Sequence, residues 1–233
     1  MTKNQLLVVL AVLFLAVAGL GAWLWMGPES VQLASSDGGG AEVIGPDERH
    51  TLGNPNAKVT MIEYVALICP TCAFVNNTTI PEFKRRYVDT GKVRYVLRIF
   101  PLNPADFKAE GLAMCVPKEK YFDAVDMLYR RQDEWGAEQM GEHGPGFTPD
   151  NQPKTDAGLV KMGRALGLDE AKARSCMSDS TVQKVVDDLA AQGGTRYGIS
   201  GTPTIIINGK VFPQVPRNVE DLAAVIDPLL AAK

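Results

Sequence analysis

The sequence predicts an α/β fold in which a strand-helix-strand unit leads into a long helical insertion and closes with a hairpin and a final helix, behind one apolar N-terminal span. Three observations predict it. An uncharged, almost wholly apolar run covers Leu6 to Met26. A β-patterned stretch, Val59 to Leu67, runs straight into Cys69-Pro70-Thr71-Cys72. Helical character then holds from about Asp106 to Gln192, before β-branched residues return at Thr204 to Ile207. The 233 residues suffice for one substantial domain plus a targeting segment, with ample apolar content for a buried core.

In chain order, residues 1–27 come first. As a helix, Leu6 to Met26 is long enough to cross a hydrocarbon layer of roughly 30 Å. Lys3 precedes it while Glu29 and Asp37 follow, so the positive-inside tendency keeps the N-terminus cytoplasmic and exports the rest. Ala16-Val17-Ala18 has the small-x-small pattern of a signal-peptidase site. Cleavage there would leave Leu20 to Met26 exposed, and Trp23 and Trp25 sit like interfacial anchors, so the preferred reading is an uncleaved signal anchor. The expected location is the bacterial inner or plasma membrane, crossed once, with the main domain in the periplasm or otherwise outside the cytoplasm. Residues 28–47, rich in Gly, Ser and acidic residues, read as a flexible tether, and 48–233 as the exported domain. Gly38-Gly39-Gly40 is not a phosphate loop, because no strand precedes it and no Lys-Ser/Thr pair follows.

Within the domain, Val59 to Leu67 reads as a strand and Pro70 as the first turn of a helix, where its missing N–H costs nothing. Ala73 to Tyr87 continues that helix with a break expected near Pro81, Gly91 ends it, and Lys92 to Phe100 forms a second buried strand closed by Pro101 and Pro104. The insertion, about 103–192, contains helical pieces at Ala109 to Val116, Tyr121 to Trp135, Asp156 to Leu166 and Thr181 to Gln192. Gly141 to Pro153, which holds His143, reads as a turn-rich loop. Asn208-Gly209 is a strong hairpin turn after the strand Thr204 to Ile207; Lys210 to Val215 would pair back as an edge strand and Val219 to Leu230 close the chain as a helix.

A formal charge of −3 argues against a nucleic-acid partner, since neutralising many phosphates needs clustered Lys and Arg. Lys84-Arg85-Arg86 and Arg130-Arg131 sit among apolar residues at helical spacing and read as solvated helix faces. Four cysteines beside only two histidines favour two sulfur pairs over a tetrahedral Cys/His metal site, and no cofactor or metal is expected. A thiolate at a helix start feels the macrodipole and unpaired N–H donors, which makes Cys69 the attacking sulfur; Cys72, one turn later, is the resolving one. A CxxC also forms half of many zinc sites. Here no second CxxC completes one, and recruiting Cys115 and Cys176 would forfeit the helix-start geometry. Binding of Cu(I) by Cys69 and Cys72 is an alternative from another class, without an evident Met or His ligand beside them.

Leu52-Gly53-Asn54-Pro55, then Val59 to Tyr64, then the CPTC motif together resemble the opening of a DsbA-like protein of the thioredoxin superfamily. Arg98-Ile99-Phe100-Pro101-Leu102 resembles that family's second central strand, and Gly201-Thr202-Pro203-Thr204 with Asn208-Gly209 its cis-proline loop and terminal hairpin. The resemblance implies a thioredoxin-like fold, a cis Thr202–Pro203 bond facing the cysteines, and a Thr202 backbone that pairs with a substrate strand. It implies that Glu63 is the buried acid beneath the active site, accepting or relaying the Cys72 proton; an exposed strand-end or salt-bridged glutamate is the competing account. The contexts of Cys115 and Cys176 resemble members with an extra structural disulfide, against two buried reduced thiols.

Thr71 stands where the best-known strongly oxidising members have histidine, and Leu67 where they have an aromatic residue. A less oxidising disulfide is therefore expected. The function implied is oxidation of cysteine-containing exported proteins, with reoxidation by a DsbB-like membrane partner. A reductase or isomerase is the alternative raised by Thr202 before Pro203, and a binding module for extended peptides the non-enzymatic one.

Overall fold

The computed structural model describes residues 48–136 and 152–232. The run Leu6 to Met26, the tether 28–47 and the loop around His143 lie outside them. Among the described residues no helix is long and apolar enough to cross a membrane.

Five strands form one mixed sheet among the described residues, in the order β1 (Thr51–Leu52), β3 (Val93–Ile99), β2 (Val59–Val65), β4 (Thr204–Ile207), β5 (Lys210–Val211). The central strands β2 and β3 run parallel, from Val59 opposite Val93 to Val65 opposite Ile99. A parallel pair needs a crossover, here supplied by α1 (Pro70–Thr78), α2 (Ile80–Phe83) and a π-helical turn at Lys84–Val88. Strands β1 and β4 flank this pair antiparallel, and β5 pairs back on β4. Both central strands are buried on both faces, which explains their near-continuous apolar sequences.

Alternation sends Met61, Glu63, Val65, Tyr95 and Leu97 towards the larger core, shared with α1 and the closing helix α9 (Val219–Ala231). Ile62, Tyr64, Val96 and Ile206 face the other side. There Gly193, in helix α8 (Ser180–Tyr197), lies so close to Tyr64 that a Cβ would fall 2.6 Å from its ring. Helices thus cover both faces.

The insertion comprises α3 (Pro104–Met114), α4 (Tyr121–Arg130), α5 (Asp133–Gly136), α6 (Gln152–Ala165), α7 (Glu170–Met177) and α8. At its base, His50 Nε2 meets Glu110 Oε1 at 2.8 Å, and Tyr121 donates to the same carboxylate. These bonds tie the start of the domain to α3 and α4.

Several boundaries differ from expectation. Helix α3 begins at Pro104, because Asn103 and Asp106 form a reciprocal capping box. Helix α7 had no counterpart in the sequence reading. Pro153, expected in a loop, lies in the first turn of α6, where its missing N–H is harmless. The strand expected over Lys210 to Val215 stops at Val211, with Pro213 unable to donate to a ladder. The break near Pro81 occurs where α1 ends at Thr78. The basic groups are ion-paired more than merely solvated: Lys84 pairs with Asp126, Arg86 with Glu220 and Asp227, and Arg131 with Glu134.

Candidate active site

Strand β2 ends at Val65, and a buried turn, closed by Cys69 N–H donating to Ala66 O at 3.1 Å, delivers the chain to α1. Cys69 is the N-cap of that helix, extended at φ −75° and ψ 120°, with Pro70 in the first turn. Its Sγ accepts from Cys72 N–H at 3.4 Å, and as a thiol it donates to Thr202 O at 3.5 Å. The Thr202–Pro203 peptide is cis. Both sulfurs are buried, Cys72 at 1% exposure more deeply than Cys69 at 6%. Pro70 and Thr71 are exposed beside them.

These surroundings pull the two thiols apart. Cys69 is lowered from 9.0 to about 6, first by the hydrogen bond from the Cys72 thiol, then, against the cost of burial, by the Thr202 side-chain hydroxyl and by the N–H groups of Cys72 and Thr71. Helix-start donors alone were the expected cause; the neighbouring thiol contributes more. Cys72 is pushed far above its ordinary value, first by burial and then by the Cys69 sulfur, which stabilises its proton.

Glu63 lies in mid-strand at 2% exposure, which removes the exposed strand-end account. It accepts from Tyr95 Oη at 2.5 Å. Burial raises its carboxyl to about 7, opposed by the Tyr95 bond and the Lys84 charge. Glu63 does not bond Cys72 directly. Tyr129, whose hydroxyl is held protonated first by burial and then by charge on Cys72 and Glu63, lies within electrostatic reach of both.

Sequence reasoning passed over three residues here. Asp106, fully buried, accepts from Ile68 N–H at 2.8 Å through Oδ1 and from Leu102 and Asn103 N–H through Oδ2. Burial raises its carboxyl to about 6 against those three donors. Gln132 and Tyr129 reach the same turn from the insertion. The Asn103-Pro104-Ala105-Asp106 capping pattern was the one signal available, and it marks a helix start rather than a site. Away from the centre, the sulfurs of Cys115 and Cys176 are bonded, with Cα atoms 6.1 Å apart, joining the C-cap of α3 to α7.

Known proteins resemble the chain over this whole region. A protein-disulfide oxidoreductase of Rickettsia bellii is 29% identical over 164 residues, covering 68% of this chain and 56% of the relative. The chain spans about half the length of the curated relatives it matches first. Wolbachia pipientis alpha-DsbA1 superposes with a TM-score of 0.66 at 24% identity, over 78% of this chain and 90% of that one. A protein-disulfide isomerase from Novosphingobium aromaticivorans superposes at 0.68 and 23%, over 78% and 97%. Both show the fold: a thioredoxin-like α/β domain matching DsbA structures. The family model described as Thioredoxin matches residues 46–228 and so takes in the sheet, the CPTC turn and the cis-proline loop alike. On that match the chain belongs to the thioredoxin family.

Proposed function

We propose that this chain is an extracytoplasmic thiol-disulfide oxidoreductase that oxidises cysteines of exported proteins through Cys69 and Cys72. One observation carries the reading: Cys69 offers a stabilised thiolate at a helix start, while its partner sulfur lies more deeply buried one turn behind it. The name of the Rickettsia bellii relative supports it. The Leu6 to Met26 segment would hold the domain at the outer face of the membrane, where disulfides persist.

A client thiolate attacks Cys69 Sγ of the disulfide, forming a mixed disulfide and breaking the Cys69–Cys72 bond. The Cys72 sulfur leaves and takes up a proton, for which Glu63, half-ionised near pH 7 in the same core, is the proposed donor. A second client thiolate then attacks the client sulfur and expels Cys69 as a thiolate. Two electrons pass from the client's two thiols to the enzyme pair. A low-pKa thiol is the better leaving group, so the stabilised anion drives release. A DsbB-like, quinone-linked membrane partner would accept the electrons in turn. Thr202 would offer its backbone to the client strand beside Cys69, and the Cys115–Cys176 bond would hold the insertion together without taking part.

Alkylation trapping in the native compartment tests the direction: Cys69 and Cys72 found oxidised at steady state support the oxidase, and both found reduced would reverse the assignment to a reductase or isomerase. A Cys72→Ser variant should accumulate mixed disulfides with its clients. Because Thr71 places no positive charge beside Cys69, the potential should lie below the roughly −120 mV of a strong oxidant. Redox titration at or above that value would contradict the role given to Thr71.

A further inference from the structure

The four residues between the end of β2 and the start of α1 have no strand partners, yet they are buried. Their backbone groups are satisfied instead by side chains from far along the chain. Tyr129 Oη donates to Ala66 O at 3.3 Å. Gln132 Nε2 donates to Leu67 O at 2.6 Å and to Cys69 O at 3.2 Å. Ile68 N–H donates to Asp106 Oδ1. All three side chains are themselves buried, and all three belong to the helical insertion.

We propose that the insertion clamps residues 66–69 and thereby sets the reactivity of Cys69, with Gln132, Tyr129 and Asp106 as positioning residues. The inference rests on the redox reading above and names what tunes that site. Thiolate stabilisation at Cys69 depends on the N–H groups of Thr71 and Cys72 and on the Cys72 thiol all meeting one sulfur. That convergence holds only while the preceding turn is rigid, since donors help most when they are already in place. Gln132 bridges the turn from Leu67 O to Cys69 O. The Ala66 N–H faces the Cys72 sulfur, so Tyr129 steadies the second thiol through the same residue. Asp106 anchors the Ile68 N–H through its Oδ1.

All three residues give an expectation of the same sign. In Gln132→Leu the donors are lost, the turn slackens, and the Cys69 thiolate is less well held. A lost hydrogen bond of ordinary strength corresponds to a rise of about half a pH unit or more in the Cys69 titration, and a threefold or larger shift of the thiol-exchange equilibrium towards the protein disulfide. In Asp106→Asn one accepting oxygen becomes an amide that cannot accept from the backbone N–H groups Asp106 holds, so the turn slackens and the Cys69 midpoint should rise as in Gln132→Leu. Tyr129→Phe, which removes one hydroxyl, should follow Gln132→Leu in sign with a smaller shift.

The test uses the full chain, following Cys69 alkylation against pH and equilibrium with glutathione, with circular dichroism to confirm folding. If Gln132→Leu does not fold, Tyr129→Phe carries the same test. Lower unfolding midpoints with unchanged Cys69 titration and exchange in folded variants would overturn the clamp and leave only a structural role. Wild-type protein that fails to exchange disulfides with glutathione at all would instead overturn the redox reading beneath it.

Discussion

Lowering the pH through 6 should change how many protons the Cys69–Cys72 couple exchanges, because the two thiols titrate so far apart. With Cys69 at about 6, about nine-tenths of it is thiolate at pH 7, against roughly one part in a hundred for a thiol at the ordinary value of 9.0. Cys72 stays protonated throughout. Reducing the disulfide therefore takes two electrons and one proton above pH 6, and two electrons and two protons below it. The sign follows from the depressed value: stabilisation of the reduced form is present above pH 6 and is lost as pH falls through it. For a two-electron couple a tenfold change in equilibrium is about 30 mV, so the potential should vary by about 30 mV per pH unit above 6 and about 60 mV below.

The assay is equilibrium against dithiothreitol from pH 4.5 to 8, quenched by acid and read by mass spectrometry after alkylation. A reference dithiol that remains protonated takes two protons throughout, so the exchange constant should be flat below about pH 5, bend upward around pH 6 and approach a tenfold rise per pH unit above about 7, a gain of about fiftyfold between pH 6 and 8. A flat constant across the whole range would show that Cys69 is an ordinary thiol and would refute the reasoning.

Two further outcomes follow from the buried groups. Glu63 binds its proton more tightly in the fold, at about 7 against 4.5, so wild-type stability should fall as pH rises from 5 to 8. Glu63→Gln removes that loss, worth up to about 3 kcal/mol, and urea unfolding at the two pH values should show the variant gaining on wild type as pH rises. An equal difference at both would place the titration elsewhere. Replacing both Cys115 and Cys176 by alanine opens a loop spanning 61 positions, and the chain-entropy relation gives a loss of roughly 4 kcal/mol. Thiol exchange at Cys69 should survive in the protein that remains folded, as read by glutathione equilibrium.

Much of the architecture was legible because its signals are local. The hairpin was readable from Asn208-Gly209, which adopt φ of 46° and 78° as a tight reversal requires. Strands β2 and β3 announced themselves through β-branched and aromatic runs, and Pro81 through its inability to continue the i→i−4 ladder. Helix α7 was missed because its buried positions are Ala173, Cys176 and Met177, too few and too small to stand out as an apolar stripe. The start of α3 was missed despite its Asn103–Asp106 capping pattern, where proline was read as closing a strand instead of opening a helix.

By itself the sequence determined that a CxxC pair sits where a buried strand meets a helix, since strand pattern, proline and cysteine spacing all act within a few residues. Family resemblance placed Thr202 and Pro203 facing those sulfurs; only the tertiary structure decided which other side chains surround them. Thr202 lies 133 positions from Cys69, Gln132 lies 63, and Asp106 lies 38 from Ile68. No local propensity encodes such pairings. They arise because burying the turn strips water from its backbone groups, and partners must then be supplied by whatever the packed chain brings alongside.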